Sequence, residues 1–325
     1  MMTKSEHFYA KILLFGEYGV ILGSQALSIP YTHFMGELSF ITDDKYTDYN
    51  AALTSNANLK AFASYLRDNN TLLHPAEPDL DRMQHELANG LYFESSIPQG
   101  YGVGSSGALV AAVYARYAKN RIEAHAAISA PNILELKRLF SVMESFFHGK
   151  SSGIDPLNAY LQYPLHMKSS QNIALVGIPR HKFEEDGAIF LIDTGAPGKT
   201  DSGVTRFLDL CKNPEYSEHM QKEYLPLINR AISTLIEGRH QEFFASAASL
   251  SAFQLNHFGK MIPEAFIPLW KHGLETGDYH LKLCGSGGGG FILGFTQSLT
   301  QTRNSLKNYH TQVVPVYRHT ERGNG

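Results

Sequence analysis

The sequence predicts a chain of mixed helices and strands in about two domains, and three observations lead there. The first is length: 325 residues corresponds to roughly two domains with ample chain for a core. The second is a set of short apolar runs bounded by turn residues, at Ile12–Phe15, Gly36–Thr42, Leu91–Ile97 and Ala188–Asp193, which read as strands. The third is apolar residues at spacings of three and four in Asn58–Arg67, Leu80–Leu87 and Ile133–Phe147, which read as helices covering a sheet.

Composition narrows the function classes. Hydrophobic residues make up 43% and charged residues 18%, values ordinary for a soluble globular protein. A formal net charge of −3 gives no electrostatic case for nucleic acid or an anionic membrane as partner. The two cysteines, Cys211 and Cys284, are too few for a disulfide framework or a zinc site. The histidines are scattered, without H-E-x-x-H spacing. Met1–Ala10 lacks the apolar run of a signal peptide, and no 18-residue apolar stretch occurs. A reducing cytoplasm fits this usage best.

In chain order, the first informative stretch is Lys11-Ile12-Leu13-Leu14-Phe15-Gly16-Glu17-Tyr18. It reads as a buried strand with Lys11 at one end and Gly16-Glu17 at the other. A lysine there is either a snorkelling edge residue or a functional cation. Gly23-Ser24 marks a turn, Ala26–Ile29 a short element, and Asp43–Asn50 a polar connector.

The second stretch is Pro98-Gln99-Gly100-Tyr101-Gly102-Val103-Gly104-Ser105-Ser106-Gly107-Ala108, preceded by the Leu91–Ile97 run and followed by an apolar helical run, Ala108–Ala115. A strand, a glycine loop and a helix start form an anion site. Glycines let backbone N–H groups turn inward, and the first helical turn offers unpaired donors at the positive end of its dipole. A polyphosphate is the natural ligand, and a serine hydroxyl at the helix start can ligate Mg²⁺ beside it. Gly102–Gly107 and Gly285–Gly290 both match G-x-G-x-x-G. A dinucleotide fold, however, needs a second strand ending in an acid about 20 residues on, where Arg121–Phe147 reads as helix. A Walker A loop is absent: Gly198-Lys199-Thr200 resembles its tail, but Asp193 stands where its first glycine belongs.

Pro131 suits a first helical turn, and the following helix should end at His148-Gly149. Glu144 lies near that end, where a carboxylate opposes the helix dipole. It is either a solvated surface residue or one that wants a cation or metal. Asp155, in Gly153-Ile154-Asp155-Pro156, reads alone as a turn aspartate. Ala188–Asp193 should open the second domain, placing the boundary near Glu185 and giving domains 1–185 and 186–325. Helical patterns follow in Glu215–Glu237, Gln241–Leu255 and Ile262–Thr276. Leu281–Cys284 runs as a strand into Gly285–Gly290, and Phe291–Phe295 returns. Gln312–Tyr317 is a final strand, at an edge because of Pro315. Glu321–Gly325 is a frayed tail.

Together these stretches resemble the GHMP kinases, the galacto-, homoserine, mevalonate and phosphomevalonate kinases. Lys11–Glu17 resembles the family's first motif, Pro98–Ala108 its P-x-x-x-G-L-G-S-S-A-A phosphate loop, and Lys282–Gly290 its C-terminal glycine motif. Within the family, His148–Asp155 is most similar to the H-G-x-P-S-G-x-D pattern of mevalonate kinases. The resemblance implies an α+β, two-domain GHMP kinase fold. Its N-terminal domain would be ribosomal protein S5 domain 2-like and its C-terminal domain ferredoxin-like. It implies ATP and Mg²⁺ as cofactors and a small-molecule acceptor, with the C5 hydroxyl of mevalonate phosphorylated to 5-phosphomevalonate, an isoprenoid precursor. The alternatives are phosphomevalonate as acceptor, or a non-catalytic nucleotide-binding regulator of the same fold. The oligomeric state stays open, a homodimer included.

By the same resemblance, Pro98, Gly100, Gly102, Val103, Gly104, Ser105, Ser106 and Gly107 hold nucleotide, with Gly285, Gly287 and Gly288. Ser106 and Glu144 ligate Mg²⁺, and Asp155 is the base. Lys11 partners it, either holding Asp155 ionised or acting on the alkoxide or phosphoryl group. Glu17, Tyr18 and Thr200 lie by the acceptor. Four positions depart from the pattern: Tyr18 for His, as in phosphomevalonate kinases, Ser151 for Pro, Gly107 for Ala, and Val103 for Leu, a mild apolar swap.

Overall fold

The computed structural model describes residues 6–42, 48–179, 186–198, 200–309 and 311–318. The expected boundary near Glu185, most of the 43–50 connector and the 321–325 tail lie outside the described residues. The chain packs into two compact units interleaved along the sequence. One comprises residues up to Lys11, Ile29–Pro98 and Gly104–Tyr163; the other comprises Ile12–Ser28, Gln99–Val103 and residues from Pro164 onward. Each is described by itself.

The first strand, β1 (Phe8–Phe15), is buried along most of its length, as a run of apolar residues flanking one lysine requires. The second, β2 (Ala26–Phe40), is one 15-residue strand. It joins two segments that the sequence reads as separate, because the intervening Pro30–Met35 stretch is also extended. In the first unit the end of β2 pairs antiparallel with β3 (Leu91–Ser95), Leu38 opposite Phe93. Helix α1 (Tyr49–Asp68) starts on an Asp48 cap and buries Leu59, Phe62 and Leu66, and α2 (Leu80–Ala88) starts on an Asp79 cap. Helix α1 starts nine residues before its expected stripe, at the capping aspartate, whereas α2 starts where its stripe does.

Helix α3 (Ser105–Tyr117) follows the glycine loop, and α4 (Ala130–His148) starts at a Ser129 cap with Pro131 in its first turn. The helix expected from Arg121 therefore begins nine residues later, at the capping serine. Its end at Gly149 is as expected. The last element, α5 (Ile154–Leu161), starts at Gly153. Asp155 thus stands in the first turn of a helix, not in an isolated turn. Gly153 has φ +73°, and a β-carbon there would lie 2.2 Å from the Lys137 carbonyl oxygen and 2.6 Å from Ser141 N. Only glycine lets α5 begin this close to α4.

In the second unit β4 (Leu165–Ser169) pairs with the start of β2 and with β5 (Asn172–Leu175), two strands the sequence reading did not identify. Then come β6 (Ala188–Asp193), α6 (Thr200–Cys211) and α7 (Pro214–His219). A π-helical turn over Met220–Tyr224 leads into α8 (Leu225–Ile236), so the helix expected over Glu215–Glu237 is three pieces. Helices α9 (His240–His257) and α10 (Ile267–Thr276) follow. The chain closes with β7 (His280–Leu283), β8 (Phe291–Thr296), α11 (Leu299–Leu306) and β9 (Val313–Arg318). The sheet order is β7-β8-β6-β9, with antiparallel neighbours throughout. That is the β-α-β-β-α-β ferredoxin-like arrangement, and it puts β9 with Pro315 at an edge as expected. Trp270 anchors the helical layer, fully buried with its indole N–H donated to Ser251 Oγ at 2.9 Å. Among the described residues no helix is long and apolar enough to cross a membrane.

Gly153→Ala combines a left-handed backbone penalty with a backbone clash. It should lower stability by about 2–5 kcal/mol, read from the urea midpoint at unchanged m-value.

Candidate active site

In the first unit, four elements bring together side chains distant in sequence. Lys11 projects from β1 and meets Asp155 at the start of α5, Nζ to Oδ1 3.1 Å. The lysine is buried and the Asp155 side chain is 35% exposed. Lys11 is thus not a snorkelling edge residue, because its charge has a carboxylate partner.

The end of the glycine loop sits against this pair. Gly104 precedes α3 at φ +79°, and a β-carbon there would lie 2.9 Å from Lys11 Cγ. Gly107, one turn on, faces α5. A β-carbon would come within 2.7 Å of the Asp155 carbonyl carbon and 2.8 Å of Pro156 N. The Gly107 departure therefore has a steric cause in this chain.

Ser106 Oγ lies 3.3 Å from Glu144 Oε1, to which it donates, and 3.0 Å from His148 Nε2. Glu144 is 3% exposed, so it is not a solvated surface residue. Ser151 Oγ donates to its other oxygen and accepts from Gly153 N at 3.0 Å. Burial, reinforced by the charge of Asp155, pushes the Glu144 carboxyl up to about 7; the Ser151 and Ser106 hydroxyls and Lys11 work the other way. Among the described residues no group of three or more His, Cys, Asp or Glu could hold a metal ion. One buried carboxylate with a hydroxyl at a helix start nevertheless fits Mg²⁺, which takes one or two carboxylates and draws its other oxygens from phosphates and water. His148 and Ser151 were not singled out as site residues from sequence, although both lie in the His148–Asp155 segment.

The second unit holds the other predicted residues. Gln99–Val103 packs against the C-terminal glycine loop. Gly198 N donates to Gly100 O at 2.9 Å, Tyr101 stacks edge-on with Phe291 at 5.0 Å, and a β-carbon on Gly290 would lie 3.0 Å from Tyr101 Cα. The β-carbon position of Gly102 lies 3.8 Å from Cys284 O. Val103 is buried. The two glycine motifs, far apart in sequence, are neighbours here.

Glu17 and Tyr18 are buried, at 3% and 4% exposure. The Glu17 carboxylate accepts from Lys282 Nζ at 2.6 Å, and the same nitrogen lies over the Phe15 ring, 5.8 Å from its centroid. Lys282, only 1% exposed, is a site residue that sequence reasoning missed. Its sole signal was a charged residue inside an apolar strand. Tyr18 donates its hydroxyl to the Ser286 carbonyl and packs on Phe207 and Phe258. Burial, with the charge of Glu17 second, holds its phenol well above the ordinary range, so it remains a protonated donor. The backbone of Thr200 opens α6; its side chain lies outside the described residues.

Residues 70–162 match the family model of the GHMP kinases N terminal domain. A comparison with curated protein sequences gave no match. Several solved structures share the fold. L. major mevalonate kinase in complex with R-mevalonate is 17% identical, with 98% of each chain covered and a TM-score of 0.63. Streptococcus pneumoniae phosphomevalonate kinase, in complex with phosphomevalonate and AMPPNP, is 13% identical, with 96% of this chain and 98% of that one covered and a TM-score of 0.62. Lactococcus lactis galactokinase complexed with galactose is 16% identical, with 98% and 94% covered and a TM-score of 0.64.

Removing one partner of a buried ion pair leaves an uncompensated charge. Lys282→Met should therefore lose about 3–5 kcal/mol in denaturant unfolding, and the Glu17→Gln/Lys282→Met double variant should recover most of it. Equal losses in both would show that the pair is not the cause.

Proposed function

We propose that this chain, which carries a GHMP kinase N-terminal domain in a fold shared with GHMP kinases along nearly its whole length, is an ATP- and Mg²⁺-dependent small-molecule kinase acting on the C5 hydroxyl of mevalonate. The observation that carries the reading is the Lys11–Asp155 pair at 3.1 Å, set beside Ser106 and Glu144 at the start of the helix that follows the glycine loop. Phosphoryl transfer needs positioning and charge neutralisation more than covalent chemistry.

In this reading the amides of the glycine loop and of the first turn of α3 bind the nucleotide phosphates. Ser106 and Glu144 would hold Mg²⁺, which supplies charge neutralisation on the phosphate oxygens. Asp155 accepts the proton of the acceptor hydroxyl. Lys11, already hydrogen-bonded to it, favours its ionised form before transfer and offers a cation to the developing charge afterwards. Gly107 keeps α3 close enough to α5 for these roles to coincide. Mevalonate is preferred over phosphomevalonate on two counts. The His148–Asp155 segment resembles the mevalonate kinase pattern, and Tyr18, the feature favouring phosphomevalonate, has its hydroxyl engaged by Ser286.

The test is ADP release with ATP and Mg²⁺, run in parallel with mevalonate, phosphomevalonate, homoserine and galactose. Turnover with mevalonate alone is expected. Turnover with phosphomevalonate alone would reassign the acceptor, and silence with all four would favour a non-catalytic nucleotide-binding protein. Asp155→Asn should lower kcat by about 10²–10⁴-fold while nucleotide affinity is retained. Gly107→Ala should also lower kcat, through displacement of Asp155, with the KM for ATP less affected.

A further inference from the structure

We propose that the Gly16–Glu17–Tyr18 turn is a clamp that orients the C-terminal glycine loop, and that Tyr18 and Lys282 are positioning residues for nucleotide binding, not acceptor contacts. The inference rests on the reading of Gly285–Gly290 as a nucleotide-binding loop.

Five groups form a closed hydrogen-bonded circuit in the second unit. Lys282 Nζ donates to Glu17 Oε1 at 2.6 Å and to Leu283 O at 2.5 Å. Leu283 N donates to Gln254 Oε1 at 2.8 Å, and Gln254 Nε2 donates to Tyr224 Oη at 2.9 Å. Tyr224 Oη closes the circuit by donating to the backbone oxygen of Glu17 at 3.0 Å. Every member is buried. A lone buried charge is costly, but this arrangement balances the carboxylate with an ammonium and links the neighbouring polar groups by hydrogen bonds. Its geometric effect is to fix the strand end that leads into the loop relative to the turn at Glu17.

Tyr18 supplies the second anchor, three residues into the motif. In a trans peptide the carbonyl of one residue and the N–H of the next point in opposite directions. Holding the Ser286 carbonyl toward Tyr18 therefore aims the Gly287 N–H the other way. A backbone amide fixed in that direction is the donor that a phosphate-binding glycine loop needs. The clamp is close-fitting: a β-carbon on Gly203 of α6 would lie 2.7 Å from both Tyr18 Oη and Ser286 O. Elsewhere the loop is held by Gly288 N donating to Met261 O at 2.6 Å and Gly290 N donating to Ala196 O at 2.7 Å. No such contact sets the 286–287 peptide among the described residues except that of Tyr18.

Tyr18→Phe in the full chain removes the hydroxyl and keeps the ring packing on Phe207 and Phe258, so it folds. Affinity for a non-hydrolysable ATP analogue, measured by calorimetry without acceptor, should fall about two- to tenfold. The KM for ATP should rise in step while the KM for mevalonate stays unchanged. Amide hydrogen exchange in the 284–291 segment should quicken. A rise in acceptor KM alone, or unchanged analogue affinity in the variant with unchanged exchange, would overturn the inference while the kinase reading stands. A wild-type chain that binds no nucleotide would overturn both.

Discussion

The close approach of α3 to α5 is the constraint on which the first unit's chemistry rests. Helix α3 carries the end of the glycine loop and Ser106, and α5 carries Asp155, so their separation fixes how far the loop stands from the carboxylate. Gly107 sets that separation, because no β-carbon fits against the Asp155–Pro156 backbone. Gly104 and Gly153 do the same at the contacts with Lys11 and with α4. Three glycines therefore stand at close contacts around one ion pair, two of them with backbone and one, at Gly104, with the Lys11 side chain. Close packing of this kind transmits small displacements, since a protein interior has no slack to absorb an extra methyl group.

Charge placement differs between the two units, and the difference is informative. Glu17 is buried with its counter-ion in contact, which gives a fixed geometry at little net gain in stability. Glu144 is buried near the C-terminal end of α4, where dipole and desolvation both oppose a charge. Hydroxyls of Ser106 and Ser151 meet its two oxygens, and Lys11, whose charge favours the ionised form of Glu144, already bridges Asp155. A carboxylate raised in this way gains most when a cation arrives. A buried carboxylate so placed is better suited to a ligand than to holding the fold together.

Much of this was legible in the sequence, for identifiable reasons. The two glycine motifs, the apolar strand behind Lys11 and the end of α4 at Gly149 are local signals, set by backbone freedom and hydrophobic period. The start of α4 agrees with Pro131 in a first helical turn, with the cap at Ser129 excluding the residues from Arg121 that had also read as helix. Asp155 read as a turn residue because Gly153 and Pro156 flank it, yet Pro is tolerated in a first helical turn. The pairing of Glu17 with Lys282, by contrast, joins residues 265 apart in sequence. No local pattern announces a partner at that distance; only the ferredoxin-like sheet order brings β7 to it. The same holds for Tyr18, whose hydroxyl reaches the carbonyl of Ser286, 268 residues away in sequence.

Three of the four departures from the family pattern, Val103 being a mild apolar swap, act on the backbone around them. Where that pattern has proline before Ser-Gly, Ser151 closes the same turn with hydrogen bonds, donating to Glu144 and accepting from Gly153. Where it has alanine, Gly107 admits a closer α5. Where it has histidine, Tyr18 reaches a carbonyl inside the opposite glycine loop. Ser151 and Tyr18 act on the backbone through hydrogen bonds, and Gly107 acts by leaving room for it. Because what must be kept is the direction of a few amides and the separation of a few oxygens, different side chains can supply it. The fold is accordingly shared with solved kinases at only 13–17% identity.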